Sequence, residues 1–408
     1  MKRTLALILA LVMALGLTAC GGDKKTESKG ESSGAYVQGV TDDEILVYNS
    51  AAISGAMAAT GYPINIGIQA YFDYVNANGG IGGRKITFLH TDDEYDPVKG
   101  LAAFEKYAID EKVFAVVGMF GSGITQACLD RIKEVGIPAV YFATGIKELY
   151  NENADTTENG ASVFPVQPIY VTEGRIMVTS AVKEFGAKKI GVIYTSDDTG
   201  MQLLNGIEIQ AKNDNVAVES VQVAVQADDV SAAVTSIVTA GCDYVIIAAA
   251  QATFPTIAKE LAAQGNKAPA ITTYINGVRT MAELCVENIN GQYDLYCTGW
   301  LDATGDNEAN LKILAEYVDE QYVYNGYTWC GWIAGHVFCE GLRRVGDGEL
   351  TWESYINAME DGDIKNPFGG VLSYANDQRL GTTDMYVLKA DLNESTGWKS
   401  TFSVALPK

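Results

Sequence analysis

From residue 44 onward, short runs rich in β-branched and aromatic residues alternate with longer segments whose apolar residues recur every three or four positions. Residues 45–48 predict a strand. Residues 61–78 predict a helix with Ile64, Ile68, Tyr71, Phe72 and Val75 on one face, ended by Gly79-Gly80. A strand at 86–90, a helix at 97–111 opened by Asp96-Pro97 and a buried strand at 113–118 follow. A helix at 124–135 and a strand at 139–142 complete the order expected of a parallel, doubly wound sheet.

The alternation restarts after a segment at 165–168 that begins and ends in proline. Helices are predicted at 171–185, 201–212, 231–240 and 254–264, with strands at 189–194, 218–223 and 244–249 between them. Two α/β units of this kind imply two lobes, as does a folded length beyond what one hydrophobic core supports. Helical patterns at 311–323 and 327–344 and strand-like stretches near Val371 and at 385–389 close the chain. Such late elements are placed to return to the first lobe, crossing the connection more than once.

The amino terminus is of another kind. Met1-Lys2-Arg3 precedes an unbroken apolar run over residues 5–17, a secretory signal pattern too short for a comfortable membrane span. Leu17-Thr18-Ala19-Cys20 looks like a bacterial lipobox, in which residues 1–19 are removed and the Cys20 thiol carries a diacylglyceryl group. Residues 21–34 contain no aliphatic residue larger than glycine, so residues 20–35 read as a flexible tether. The expected location is therefore extracytoplasmic, with the membrane reached through a lipid anchor only.

A formal net charge of −22 argues against nucleic acid as a partner. Six cysteines follow Cys20, with no CxxC pair. Cys330 and Cys339 fall on one predicted helix about 13 Å apart, too far to bridge. Cys285 with Cys297 is the one plausible disulfide, buried free thiols being the alternative.

The most informative local feature runs from Val116 through Gly118-Met119-Phe120-Gly121-Ser122-Gly123 to Gln126: a strand, a glycine-rich turn and a helix start. Glycines at 121 and 123 let backbone amides approach a ligand, and a helix start adds unpaired donors that suit a carboxylate. A tight turn with Ser122 as a helix cap is the competing reading. Walker A and the dinucleotide fingerprint are both unmet, so no cofactor is expected. With His90 and His336 alone, a histidine-rich metal site is excluded, and HExxH and GxSxG are absent; neither a metal nor a catalytic group is expected. Ser180 and Lys183 satisfy SxxK inside an amphipathic helix, as chance spacing. Asp92-Asp93-Glu94-Tyr95-Asp96 reads as a strand end and helix cap, Asp361-Gly362-Asp363 as a turn, and Trp329, Trp332 and Phe338 as core.

Four motifs in order, Ile53-Ser54-Gly55, Asn78-Gly79-Gly80-Ile81-Gly82-Gly83, Asp92-Asp93 with Asp96-Pro97, and the turn around Ser122, resemble those of the leucine/isoleucine/valine-binding proteins. These are type I periplasmic binding proteins of branched-chain amino-acid type ABC transporters. The resemblance implies two doubly wound parallel-sheet lobes joined by a multi-crossover hinge, with lobe 1 at 36–166 plus 300–367 and lobe 2 at 167–299 plus 368–408. It also implies a monomer that takes a small-molecule solute between its lobes and passes it to an ABC permease and its ATPase, without catalysis. A sensory receptor component signalling through a membrane partner shares the fold and is the alternative.

By the same resemblance Ser122, Ala143 and Thr144 recognise a carboxylate or amide. Thr60 falls where an aromatic often covers the ligand, with Tyr62 as a substitute. Gln167, Tyr170, Thr199 and Gln251 face the pocket from the second lobe. The family's amino-acid binders carry an acidic residue after the strand near Thr272, where this chain has Thr273-Tyr274-Ile275-Asn276-Gly277. Without that carboxylate a buried ammonium is costly, which favours an amide, a urea-like solute or an aromatic or aliphatic carboxylate over a standard α-amino acid. Tyr274 and Asn276 are then expected to supply neutral hydrogen bonds, or merely to shape a turn.

Overall fold

The computed structural model describes residues 37–150, 160–301 and 308–405. The signal segment, Cys20 and the tether lie outside them. Strands β1 (Glu44–Ala51), β2 (Lys85–Asp92), β3 (Ala115–Phe120), β4 (Ala139–Ala143) and β5 (Val163–Phe164) form a five-stranded sheet, ordered β2-β1-β3-β4-β5. All of its pairings are parallel. Strands β6 (Lys189–Thr195), β7 (Ala217–Val223), β8 (Tyr244–Ala248), β9 (Ala270–Thr272) and β10 (Leu295–Gly299) belong to a second sheet. A two-residue hairpin pair, β11 (Ile364–Lys365) and β12 (Val371–Leu372), stands apart. Strands β13 (Asp384–Ala390) and β14 (Trp398–Ala405) then extend the second sheet antiparallel, giving the order β14-β13-β10-β9-β8-β6-β7.

The pattern of exposure follows the sheet positions. Every residue of central strands β3, β8 and β10 is buried, as expected where helices cover both faces of a parallel sheet, whereas edge strand β7 is largely open. In each lobe one helix pair crosses closely at facing glycines. A Cβ on Gly67 of the Ala58–Ala77 helix would lie 2.0 Å from the Thr328 carbonyl oxygen, and one on Gly331 of the Gly326–Val345 helix 2.0 Å from that of Ile64. The Tyr170–Phe185 and Asp198–Asp214 helices cross in the same way, with Gly174 against Leu203 and Gly206 against Val171.

The chain passes between lobes after β5, after β10 and again before β13. Two of these segments are tied together: the Thr382 N–H donates to Val166 O at 3.0 Å and the Tyr374 hydroxyl to Pro165 O at 2.8 Å. This is the multi-crossover hinge, with the Gly326–Val345 helix returned to the first lobe.

Several expectations change. The helix expected over 97–111 is α-helical only to Phe104 and continues as a wider π turn, Glu105–Asp110. The pattern at 311–323 is two short helices, Glu308–Leu314 and Glu320–Val323, separated where Asp319 turns extended. Helices Arg279–Ile289 and Trp352–Glu360 and strands β10 and β14 were not foreseen. Cys285 and Cys297 are buried free thiols, the latter donating to the Thr273 and Thr298 carbonyls. Asp96 does cap the helix that begins at Pro97, accepting from the Val98 and Lys99 amides.

Candidate functional site

A cavity of about 620 Å³ opens where parallel strands of both sheets end. Phe120 ends β3 and Gly121 follows it, Ala143 ends β4, Asp197 follows β6, Gln251 follows β8, Tyr274 follows β9 and Trp300 follows β10, and all line it. Carboxyl ends of strands are the ordinary place for a ligand in open α/β sheets, because there the loops are free to vary while the sheet holds them.

On the first-lobe side Gly121 takes φ +100° and ψ 139°, which turns the chain from β3 into the Ser122–Val135 helix. Gly121 itself is the cap residue, so Ser122 is the first helical residue rather than the cap. Its hydroxyl is 2.8 Å from that of Thr144. Ser122 and Ala143 line the cavity; Thr144 is buried behind them, and Gly123 is not part of the wall. Thr60 lines it, but Tyr62 does not: Tyr62 is 46% exposed and meets Tyr322 edge-on.

The second lobe supplies Gln167, Tyr170, Thr199, Gln251 and Tyr274 to the wall. The Gln167 amide donates to the Tyr141 hydroxyl at 2.6 Å and accepts from the Tyr274 hydroxyl at 3.3 Å. Asn276 is not in the wall. It accepts from the Gln251 N–H at 2.8 Å and donates to Ala249 O and Thr272 Oγ1, fixing the bend at Gln251, whose φ is +50°. From that bend the Gln251 side chain donates across the cleft to Thr60 Oγ1 at 3.3 Å. A second bridge runs from the Tyr327 hydroxyl to Ile275 O at 3.2 Å.

A carboxylate does reach the region after β9, from a hundred residues away in sequence. Glu173, fully buried on the Tyr170–Phe185 helix, accepts from Thr273 Oγ1, from the Tyr274 N–H at 2.8 Å and from Thr298 Oγ1. Burial pushes it up to about 7, against the lowering effect of these three bonds. It stands behind the wall and not in it. The wall itself carries Glu94 and Asp197, neither expected. Glu94 lies in the run that reads as a strand end and helix cap, and Asp197 caps the Asp198–Asp214 helix through the Gly200 N–H. Tyr95, Trp300 and Tyr327 are further wall residues that local pattern did not reveal.

The Ser122 hydroxyl, four tyrosines (Tyr95, Tyr170, Tyr274 and Tyr327) and two carboxylates (Glu94 and Asp197) thus share one cleft. Comparison with known proteins bears on the fold directly: the model of the periplasmic binding protein family matches residues 50–397. The chain belongs to the periplasmic binding protein family. This binding protein is 25% identical over 337 residues to the Leu/Ile/Val-binding protein homolog 1 of Brucella abortus, covering 81% of this chain and 85% of that one. It is 23% identical over 376 residues to homolog 3 of Brucella melitensis, covering 90% and 95%. Among solved structures, a branched-chain amino-acid ABC transporter protein from Thermus thermophilus with bound valine superposes at TM-score 0.77 and 17% identity, covering 90% of this chain and 97% of that one. A fatty-acid ABC transporter substrate-binding protein from Thermomonospora curvata does so at 0.73 and 20%, covering 91% and 93%. These neighbours share the type I fold. Among the described residues, no helix is long and apolar enough to cross a membrane.

Proposed function

We propose that this chain is the extracytoplasmic substrate-binding lipoprotein of an ABC importer. It shuts two lobes over a small amino-acid-like, amide or carboxylate solute and hands it, unreacted, to a permease and its ATPase. The observation that carries the reading is the cavity itself, walled by strand ends of both sheets, with the Ser122 turn facing Tyr170 and Tyr274. A solute that touches both walls only in the shut form favours that form by the contacts it gains there. The lobes are drawn at 36–166 with 300–367 and at 167–299 with 368–408. Ser122, Ala143 and Gly121 are the first-lobe grip, while Thr144 acts through Ser122. Cys20 is the lipid attachment point, where two acyl chains anchor stably and one does not.

The test is a thermal-shift panel of amino acids, amides, ureas and carboxylates, since a solute bound by the native state alone raises the melting temperature. A stabilising solute is expected to be recovered unchanged, and Ser122→Ala is expected to weaken a carboxylate-bearing one by about 1–3 kcal/mol. Turnover of the solute, or affinity indifferent to Ser122, contradicts the reading.

A further inference from the structure

Among the described residues the cavity wall contains two carboxylate side chains, Glu94 and Asp197, and no lysine, arginine or histidine. Glu94 is engaged by Lys99 at 2.7 Å. Asp197 is not neutralised: its Oδ1 accepts from Thr195 Oγ1 at 2.6 Å and from the Gly200 N–H at 3.1 Å, and no described residue donates to its Oδ2. An anionic solute entering this space gives up water and meets an unpaired negative charge with no cation to offset it. The neutral donors at the Ser122 turn accommodate one carboxylate, provided the rest of the guest restores the charge.

Shape and surface narrow the class further. Six aromatic side chains, Tyr95, Phe120, Tyr170, Tyr274, Trp300 and Tyr327, share the wall. Tyr170 and Tyr274 stack at 6.2 Å with an interplanar angle of 26°, and Tyr95 packs on Phe120 at 5.5 Å. Tyr95 reaches over the glycine-rich turn only because position 121 lacks a side chain; a Cβ there would be 2.6 Å from the Tyr95 ring. Glu94 and Tyr95 both hold the left-handed conformation, at φ 52° and 63°, so the backbone is bent to put that ring there. Aromatic faces and edges pair best with another ring or with a cation. At about 620 Å³ the cavity is also of drug-sized volume, and a branched-chain amino acid would leave much of the wall without packing partners.

We propose, on the footing of the cleft-binding reading above, that the solute is ring-bearing, larger than a branched-chain amino acid and without net negative charge. Its ring lies against Tyr95, Tyr170 and Tyr274, and its uncharged or cationic polar end lies toward Asp197.

Titration calorimetry with aromatic amino acids, nucleosides, L-leucine and benzoate tests this. At least one aromatic amino acid or nucleoside is expected to bind about tenfold or more tightly than L-leucine, with benzoate weaker still. Tyr170→Ala should abolish that preference. Asp197→Asn, which keeps the helix cap, should narrow the gap between anionic benzoate and the aromatic amino acids and nucleosides while leaving the unliganded melting temperature near its original value. L-leucine or benzoate binding most tightly, with Ser122→Ala still weakening it, overturns the inference and leaves the transport reading standing. A panel with no binder, or a binder indifferent to both Ser122→Ala and Tyr170→Ala, overturns both.

Discussion

The backbone N–H of Tyr274 donates to the Glu173 carboxylate at 2.8 Å, so a cavity-wall tyrosine is held by a carboxylate buried behind it. Thr273 and Thr298 donate to the same group from the ends of β9 and β10. One side chain thus fixes two strand ends and the start of the Tyr170 helix. Removing it in Glu173→Ala orphans three buried donors, and we expect a loss of about 3 kcal/mol or more in unfolding free energy, together with weaker solute binding. Denaturant unfolding and calorimetry read the two effects.

The same group makes stability depend on pH. Its folded-state pKa is raised from 4.5 to about 7, so the folded protein holds the proton more tightly than the unfolded chain does. Its contribution is therefore most favourable below about 4.5 and is lost as pH rises through about 7, a change of about 3 kcal/mol. The unfolding free energy of the native protein minus that of Glu173→Gln, whose side chain does not titrate, is expected to fall by this order across that window. A difference flat with pH contradicts it.

In the second lobe, facing glycines let the Tyr170–Phe185 and Asp198–Asp214 helices cross closely. A Cβ at Gly174 would meet the Leu203 carbonyl oxygen at 2.3 Å, and backbone cannot yield as a side-chain tip does. Gly174→Ala is expected to cost about 1–3 kcal/mol by overpacking. Because Tyr170 and Asp197 stand at the ends of these two helices, solute affinity should fall with it. Gly241→Ala is the comparison for a glycine at φ +67° with open space around it: strain alone, without the loss of affinity.

Gln251 bridges the lobes through Thr60, and its own backbone is held bent by Asn276. Gln251→Ala should reduce affinity by about two- to tenfold, the worth of one hydrogen bond made in the shut form, and should enlarge the unliganded radius of gyration in X-ray scattering. An unchanged radius and affinity would mean that the bridge does not favour closure.

Cys128, Cys285, Cys297, Cys330 and Cys339 are buried thiols, and only Cys242 among the described cysteines is partly open. A thiol reagent should label Cys242 alone in the folded chain and the others after denaturation, and a reductant should leave the melting temperature unchanged.

Regular, locally periodic elements were legible in the sequence: strands β1 to β4, the long helix after β1, the restart after residue 165 and the cap at Asp96 all follow from short-range pattern. Long-range pairings were not. Glu173 faces Thr273 across a hundred residues, and nothing in an amphipathic helix marks that one glutamate as turned inward. Glu94 falls in a run that reads as a strand end and helix cap, and nothing local marks Asp197; a cap and a cavity wall use the same side chains, and only the fold distinguishes them. The family resemblance put Thr144 at the ligand and left Asn276 to bond it or to shape a turn; in the structure Asn276 holds the bend at Gln251 and the Thr144 hydroxyl lies against that of Ser122.

The central claim is that a guest is held, unreacted, in the cleft between strand ends of two hinged sheets. A crystal structure with the solute that most raises the melting temperature tests it most directly. That solute is expected inside the cavity, within hydrogen-bonding distance of the Ser122 turn and packed against Tyr274, with the lobes closer than in unliganded crystals. A solute bound outside the cleft, or lobes equally far apart with and without it, would contradict the account.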